Sequence, residues 1–155
     1  MLKIGKLTDY GVVVLDHLAR AGSVKQSSED IAEATVLPIP TVRKVMKALA
    51  DAGLVIAQRG AKGGYRLALA PEQIRILDVV QAFEGPVALT ECSVDDHQCD
   101  IIENCSLSSS WGGINKLLMQ VLARVTLEDV RKPEMQDRLH RDLVDPSGRI
   151  NLVNL

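Results

Sequence analysis

Leu7, Tyr10, Val14, Leu18 and Ala21 recur at steps of three and four, which predicts an amphipathic helix from Thr8 to Ala21 closed by Gly22. Ser27 and Ser28 precede Glu29 and Asp30, a capping pattern in which a hydroxyl satisfies free N–H groups and the acids favour the positive helix end. A short helix over Ser28 to Thr35 follows, with Ile31 inward. Val36-Leu37-Pro38-Ile39-Pro40 then makes a turn, and Pro40 suits a first helical position because its missing N–H needs no partner. Val42, Val45, Met46 and Leu49 form the buried stripe of the next helix, which stops at Gly53, while Thr41, Arg43, Lys44 and Lys47 occupy its other face.

The period then shortens. Leu54 to Ala57 and Tyr65 to Leu69 read as strands around the glycine-rich, cationic turn Gln58-Arg59-Gly60-Ala61-Lys62-Gly63-Gly64. Helix, turn, basic helix and basic hairpin in this order predict a winged helix-turn-helix, whose second helix fits a major groove and whose wing reaches phosphates or a narrow minor groove. Ser28, Thr41, Arg43, Lys44, Lys47, Arg59, Lys62 and Tyr65 are the candidate DNA-contacting residues. Pro71 ends the wing, and Ile74 to Glu84 is expected as a further helix closed by Gly85 and Pro86.

From Val87 to Ser110 no period remains. Beyond that, Trp111, Ile114, Leu118, Val121 and Val125 again step by three and four, with Leu117 and Leu122 widening the stripe, a heptad-like seam suited to a second copy of the chain. The expected class is mainly α, with a small β-hairpin wing and a long dimerisation helix. Residues 1–85 form the DNA-binding domain, 86–110 a cysteine loop, 111–131 the dimerisation helix, and 132–155 a tail of unassigned role.

Charge supports this division. The chain has 155 residues and a net charge of −2, but Met1 to Arg66 carries 10 Lys/Arg against 6 Asp/Glu, whereas the remainder carries 8 against 14. A basic front half orients the molecule toward a polyanion. Aromatics make up 3% of the chain, too few for a single-strand stacking platform, so duplex DNA is the expected partner. No apolar run is long enough to span a bilayer, and the amino terminus has no apolar h-region, so a cytoplasmic location is expected.

All three cysteines, Cys92, Cys99 and Cys105, fall in the aperiodic stretch with Glu91, Asp95, Asp96, Asp100 and Glu103. Their spacings of six and five residues lack the paired knuckles of structural zinc sites, though His97 leaves a zinc-stabilised interaction module as an alternative. The acidic setting disfavours a reactive thiolate, and no base, nucleophile and oxyanion set points to an enzyme. Bridging sulfides tolerate wide, irregular spacing, so an iron–sulfur cluster is the expected cofactor, 2Fe–2S or 4Fe–4S.

The string Lys6-Leu7-Thr8-Asp9-Tyr10-Gly11, the stretch Gly53-Leu54-Val55, the wing Arg59-Gly60-Ala61-Lys62-Gly63-Gly64-Tyr65-Arg66-Leu67 and the cysteine triplet together resemble the iron–sulfur winged-helix transcription regulators of the IscR and NsrR kind. The resemblance covers about Met1 to Arg131. Glu84-Gly85-Pro86 and Leu89-Thr90-Glu91-Cys92 are most similar to the branch associated with SUF iron–sulfur assembly operons. It implies a DNA-binding, cluster-dependent repressor with Cys92, Cys99 and Cys105 as metal ligands, or a nitric-oxide- or redox-sensing repressor of the same fold. IscR-type members add a His three residues after the last cysteine, where this chain has Ser108. NsrR-type members use an Asp of the partner subunit, which corresponds to Asp9, with His97 the competing fourth ligand. The resemblance also assigns DNA reading to the helix around Thr41 to Lys47 and to Arg59. Here Pro38 and Pro40 replace the usual hydroxyl residues, and Arg43 stands where some members carry an acid.

Overall fold

A computed structural model describes residues 4–60, 63–90, 93, 105–132 and 134. Helix α1 (Lys6–Ala21) is followed by α2 (Ser28–Thr35), α3 (Ile39–Asp51), strands β1 (Val55–Gln58) and β2 (Gly64–Leu67), then α4 (Ile76–Glu84), α5 (Ser108–Arg124) and α6 (Leu127–Arg131). The core gathers one apolar stripe from each helix of the front half. Val14, Leu15, Leu18, Ile31, Val42, Val45, Met46 and Leu49 are fully buried there.

The α2 start follows the capping logic, with Ser27 as the cap. Ser27 Oγ accepts from Asp30 N at 3.0 Å, and Asp30 Oδ2 accepts from Ser27 N at 2.9 Å. Val36 ends α2 in the left-handed region at φ 58° and is the one non-glycine with positive φ among the described residues. Strands β1 and β2 pair antiparallel, with Val55 opposite Leu67 and Gln58 opposite Gly64. A third segment joins them: Tyr65 N donates to Gln26 O at 2.8 Å and Gln26 N to Tyr65 O at 3.0 Å. At Gly64, φ is 137° and an added Cβ would lie 2.9 Å from Gln26 O, so only glycine allows the wing to seat there.

Three expectations are corrected. Helix α4 begins at Ile76 rather than Ile74, because Arg75 forms an antiparallel bridge with Thr126. Ile76 N donates to Val125 O and Leu127 N to Ile74 O, each at 2.8 Å. Helix α5 begins at Ser108, so the aperiodic stretch ends earlier than Ser110. The expected single helix over 111–131 is two, since α5 stops at Arg124 and Val125 is extended at ψ 123°. Thr126 then opens α6 with its own capping box: Asp129 Oδ2 accepts from Thr126 N at 3.0 Å, and Thr126 Oγ1 accepts from Asp129 N at 3.2 Å.

Helix α6 packs on the winged helix, where Leu127 is fully buried in the common core. Arg131 Nε donates to Asp16 Oδ1 and Arg131 Nη1 to Glu128 Oε2, both at 2.8 Å, while Arg20 Nε donates to Asp16 Oδ2 at 3.0 Å. Burial pushes the Asp16 carboxyl up, but hydrogen bonds from Arg20 and Arg131 outweigh it and hold the group below its ordinary value. A depressed carboxylate contributes stability above its unfolded pKa, and that contribution is lost as pH falls through the folded value. Asp16→Asn is therefore expected to lower the melting temperature at neutral pH, with the gap to wild type closing as Asp16 protonates in acid. Thermal melts across a pH series check this; a gap constant into strong acid contradicts it.

Candidate nucleic-acid interface and metal centre

Helix α3 turns Val42, Val45, Met46 and Leu49 inward and leaves Arg43, Lys44 and Lys47 exposed, with Thr41 half-buried at its first turn. Arg43 Nη2 lies 3.1 Å from Glu29 Oε1 on α2, and Lys47 Nζ lies 3.5 Å from Asp51 Oδ2. Both pairs are solvent-exposed, and such pairs are worth about 0–1 kcal/mol. The cations can therefore be exchanged onto a phosphate or a base edge at little cost. Ser28, half-buried, opens α2 beside Ser27.

Arg59 is exposed at the end of β1, where Gly63 N donates to Gly60 O at 2.8 Å and closes the wing's turn. Lys62 lies outside the described residues. Tyr65 is half-buried against the core, which places it at the wing's root, where its backbone holds Gln26. The candidate DNA-contacting residues thus divide into exposed cations on α3 and the wing and a Tyr that seats the wing.

The cysteine region is anchored at both ends. Of the three thiols, Cys105 is described: it is half-buried, free of any disulfide, and its carbonyl accepts from Ser108 Oγ at 3.2 Å at the start of α5. Cys92, Cys99 and His97 lie outside the described residues. Among the described residues no three His, Cys, Asp or Glu side chains gather into a metal-sized group. Asp9 is exposed in the first turn of α1, beside buried Thr8. Thr8 Oγ1 donates to Glu84 Oε1, which also accepts from Gly5 N at 2.9 Å, so the start of α1 is tied to the end of α4.

Asn115, a residue that the apolar spacing passes over, is the buried polar group of α5. Its Oδ1 accepts from Leu89 N at 3.1 Å and its Nδ2 donates to Val87 O at 3.2 Å, fastening the strand of chain that leads to Cys92. A polar residue inside an otherwise apolar stripe was the available signal.

The seam residues separate. Trp111 and Ile114 are 41% and 49% exposed, Leu118 and Val121 are half-buried, and Leu118 and Leu122 line a cavity of about 290 Å³ with Ile4, Val80 and Pro86. Val125 does not belong to the seam. It lies beyond the end of α5, is buried within its own chain, and its carbonyl accepts from Ile76 N.

Residues 4–133 match the family model described as Rrf2, iron-dependent transcriptional regulator. The chain belongs to the Rrf2 family. The HTH-type transcriptional regulator NsrR of Bacillus licheniformis is 31% identical over 131 residues, covering 83% of this chain and 92% of the relative. Among solved structures, CymR, the global cysteine regulator of B. subtilis, is 30% identical with a TM-score of 0.65, covering 84% of this chain and 96% of CymR. The T. potens IscR structure is 28% identical with a TM-score of 0.61, covering 94% and 95%. As an Rrf2 protein the chain is a winged-helix, DNA-binding transcriptional regulator and not an enzyme. Among the described residues, no helix is long and apolar enough to cross a membrane.

Proposed function

We propose that this Rrf2 protein is an iron–sulfur-dependent repressor that binds duplex operators as a homodimer and governs iron–sulfur assembly genes of the SUF kind. The observation that carries the reading is the union, within the matched residues 4–133, of an exposed cationic reading face and all three cysteines of the chain. The donor set fits such a cluster: three soft thiols, of which Cys105 is half-buried and unbonded, with the exposed Asp9 carboxylate of a second subunit available for a fourth position. Cys92, Cys99 and Cys105 would hold it, and when bound it supplies a labile redox centre whose loss alters local charge. Asn115 holds the base of the cysteine stretch to α5, and the Val125–Ile76 and Leu127–Ile74 bonds hold the other end of α5 to the winged helix. A change in the loop then biases the spacing of two reading heads, provided the two states differ in DNA affinity.

Likeness to CymR, the global cysteine regulator of B. subtilis, favours a second reading in which this chain answers to cysteine supply rather than to a cluster. Anaerobic purification followed by iron, sulfide and zinc analysis separates them. Iron with matching sulfide, and operator affinity that differs between loaded and cluster-free protein, supports the first. Colourless protein, or equal affinity in both states, rejects it; stoichiometric zinc would instead indicate a zinc-stabilised module. Arg59→Ala is expected to weaken operator binding and lower the salt dependence by about one phosphate contact, with iron content unchanged. Binding titrations at several salt concentrations check this.

A further inference from the structure

The exposed stripe of α3 is not uniformly cationic. Helical spacing aligns Pro40, Arg43, Lys44 and Lys47 on one face, and Ile39 lies one turn before Arg43 at its edge. The end of this stripe nearest the turn is therefore hydrocarbon: Ile39 is 38% exposed, Pro40 is exposed, and Val36 in the preceding turn is 89% exposed. Val36 is also held at φ 58°, a left-handed conformation that a β-branched side chain adopts only at a cost. Its side chain thus combines backbone strain with near-complete exposure and returns almost no packing within the chain.

Helix-turn-helix motifs bring the start of the second helix to the base edges. A helix start often binds phosphate through its free N–H groups, but Pro38 and Pro40 remove two of those donors here. What remains is an apolar edge flanked by Arg43, Lys44 and Lys47, whose charges keep it against a polyanion. In the major groove the apolar group a base pair offers is the 5-methyl of thymine.

We propose that Val36, Ile39 and Pro40 form a hydrocarbon reading edge that packs on thymine 5-methyl groups in each operator half-site. Arg43 and Lys44 address the neighbouring base edges and phosphates. This rests on the DNA-binding reading and adds to it a specificity that the cationic residues do not supply.

The test starts from duplexes enriched by the full-length protein from a random-sequence pool. Each thymine of the winning duplex is replaced singly by deoxyuridine, which removes the methyl and leaves base pairing intact. Burial of one methyl is worth about a fourfold change in affinity. A loss of that order is expected at one or two positions per half-site, and it should shrink in Ile39→Ala and disappear in the Val36→Gly/Ile39→Ala double variant. Val36→Gly should move two readouts in opposite directions. Glycine takes φ 58° without strain, so the melting temperature rises, while methyl-dependent affinity falls. A flat deoxyuridine series with wild-type protein overturns the proposal. So does methyl dependence that survives in the Val36→Gly/Ile39→Ala double variant. Failure to enrich any sequence would overturn operator recognition itself, an outcome distinct from enrichment without methyl dependence.

Discussion

Leu127→Ala is expected to destabilise the protein by about 2–5 kcal/mol, the range for emptying a fully buried leucine site. Small domains have about 5–15 kcal/mol in total, so the loss is a large fraction of what holds the fold. Leu127 has no exposed surface and sits in the same core as Leu15 and Met46, although nothing near it in sequence belongs to the winged helix. Removing its side chain leaves a void beneath α6 and weakens the seat that the Arg131–Asp16 bond and the Arg75–Thr126 bridge share. Chemical denaturation measures the effect. Val24→Ala is the control: its side chain is 62% exposed, away from the seam, and such positions usually change stability within about 0.5 kcal/mol. Equal losses at the two positions would mean that α6 does not belong to the core.

Gly11→Val is expected to cost about 1–3 kcal/mol or more. An added Cβ at Gly11 would lie 2.4 Å from Phe83 Cε2 and 2.8 Å from Cζ, so α1 and α4 approach through the absence of a side chain. Two effects oppose each other. Replacing glycine in a helix interior raises helix propensity by at most about 1 kcal/mol. The clash wins, because Phe83 packs against the core and is not free to retreat. The displaced helices carry Asp9 and Glu84, so the damage reaches both the candidate fourth ligand and the bond that ties Glu84 to Gly5 and Thr8. Urea denaturation with a Gly11→Ala/Phe83→Leu double-mutant cycle checks the cause. Strictly additive losses would remove the Phe83 contact from the explanation.

The winged helix was legible because its signals are local. Val42, Val45, Met46 and Leu49 share one face by spacing alone, and the expected α2 over Ser28–Thr35 matches the structure. The end of the chain misled for a physical reason. Val125 continues the three-and-four rhythm from Val121, so periodicity runs through a break that backbone pairing with Ile76 imposes. Thr126 and Asp129 carried the counter-signal, a hydroxyl three residues before an acid that starts a new helix. Arg131 and Asp16 are separated by nearly the whole described chain, and no local pattern announces such a pair. At the reading face, the charges of Arg43, Lys44 and Lys47 were visible in sequence, whereas the Glu29 partner of Arg43 comes from another helix. Cys92, Cys99 and Lys62 lie outside the described residues, so their part in the site rests on residue type and spacing.

The bridge between Arg75 and Thr126 brings the chain, after α5, back to the point where it entered α4. Helix α4 stays on the winged helix, with Val79 in the core and Glu84 tied to Gly5 and Thr8, so the chain between Glu84 and Val125 is an excursion that starts and ends on the same body. Closing such an excursion costs entropy that grows only with the logarithm of its length, about 0.6 kcal/mol for each doubling. With one end held by Glu84 and the other by Val125 and Leu127, the chain between α4 and α6 can be lengthened, shortened or refitted with other ligands while the reading head keeps most of its stability. The fold behaves as a fixed head with an interchangeable handle.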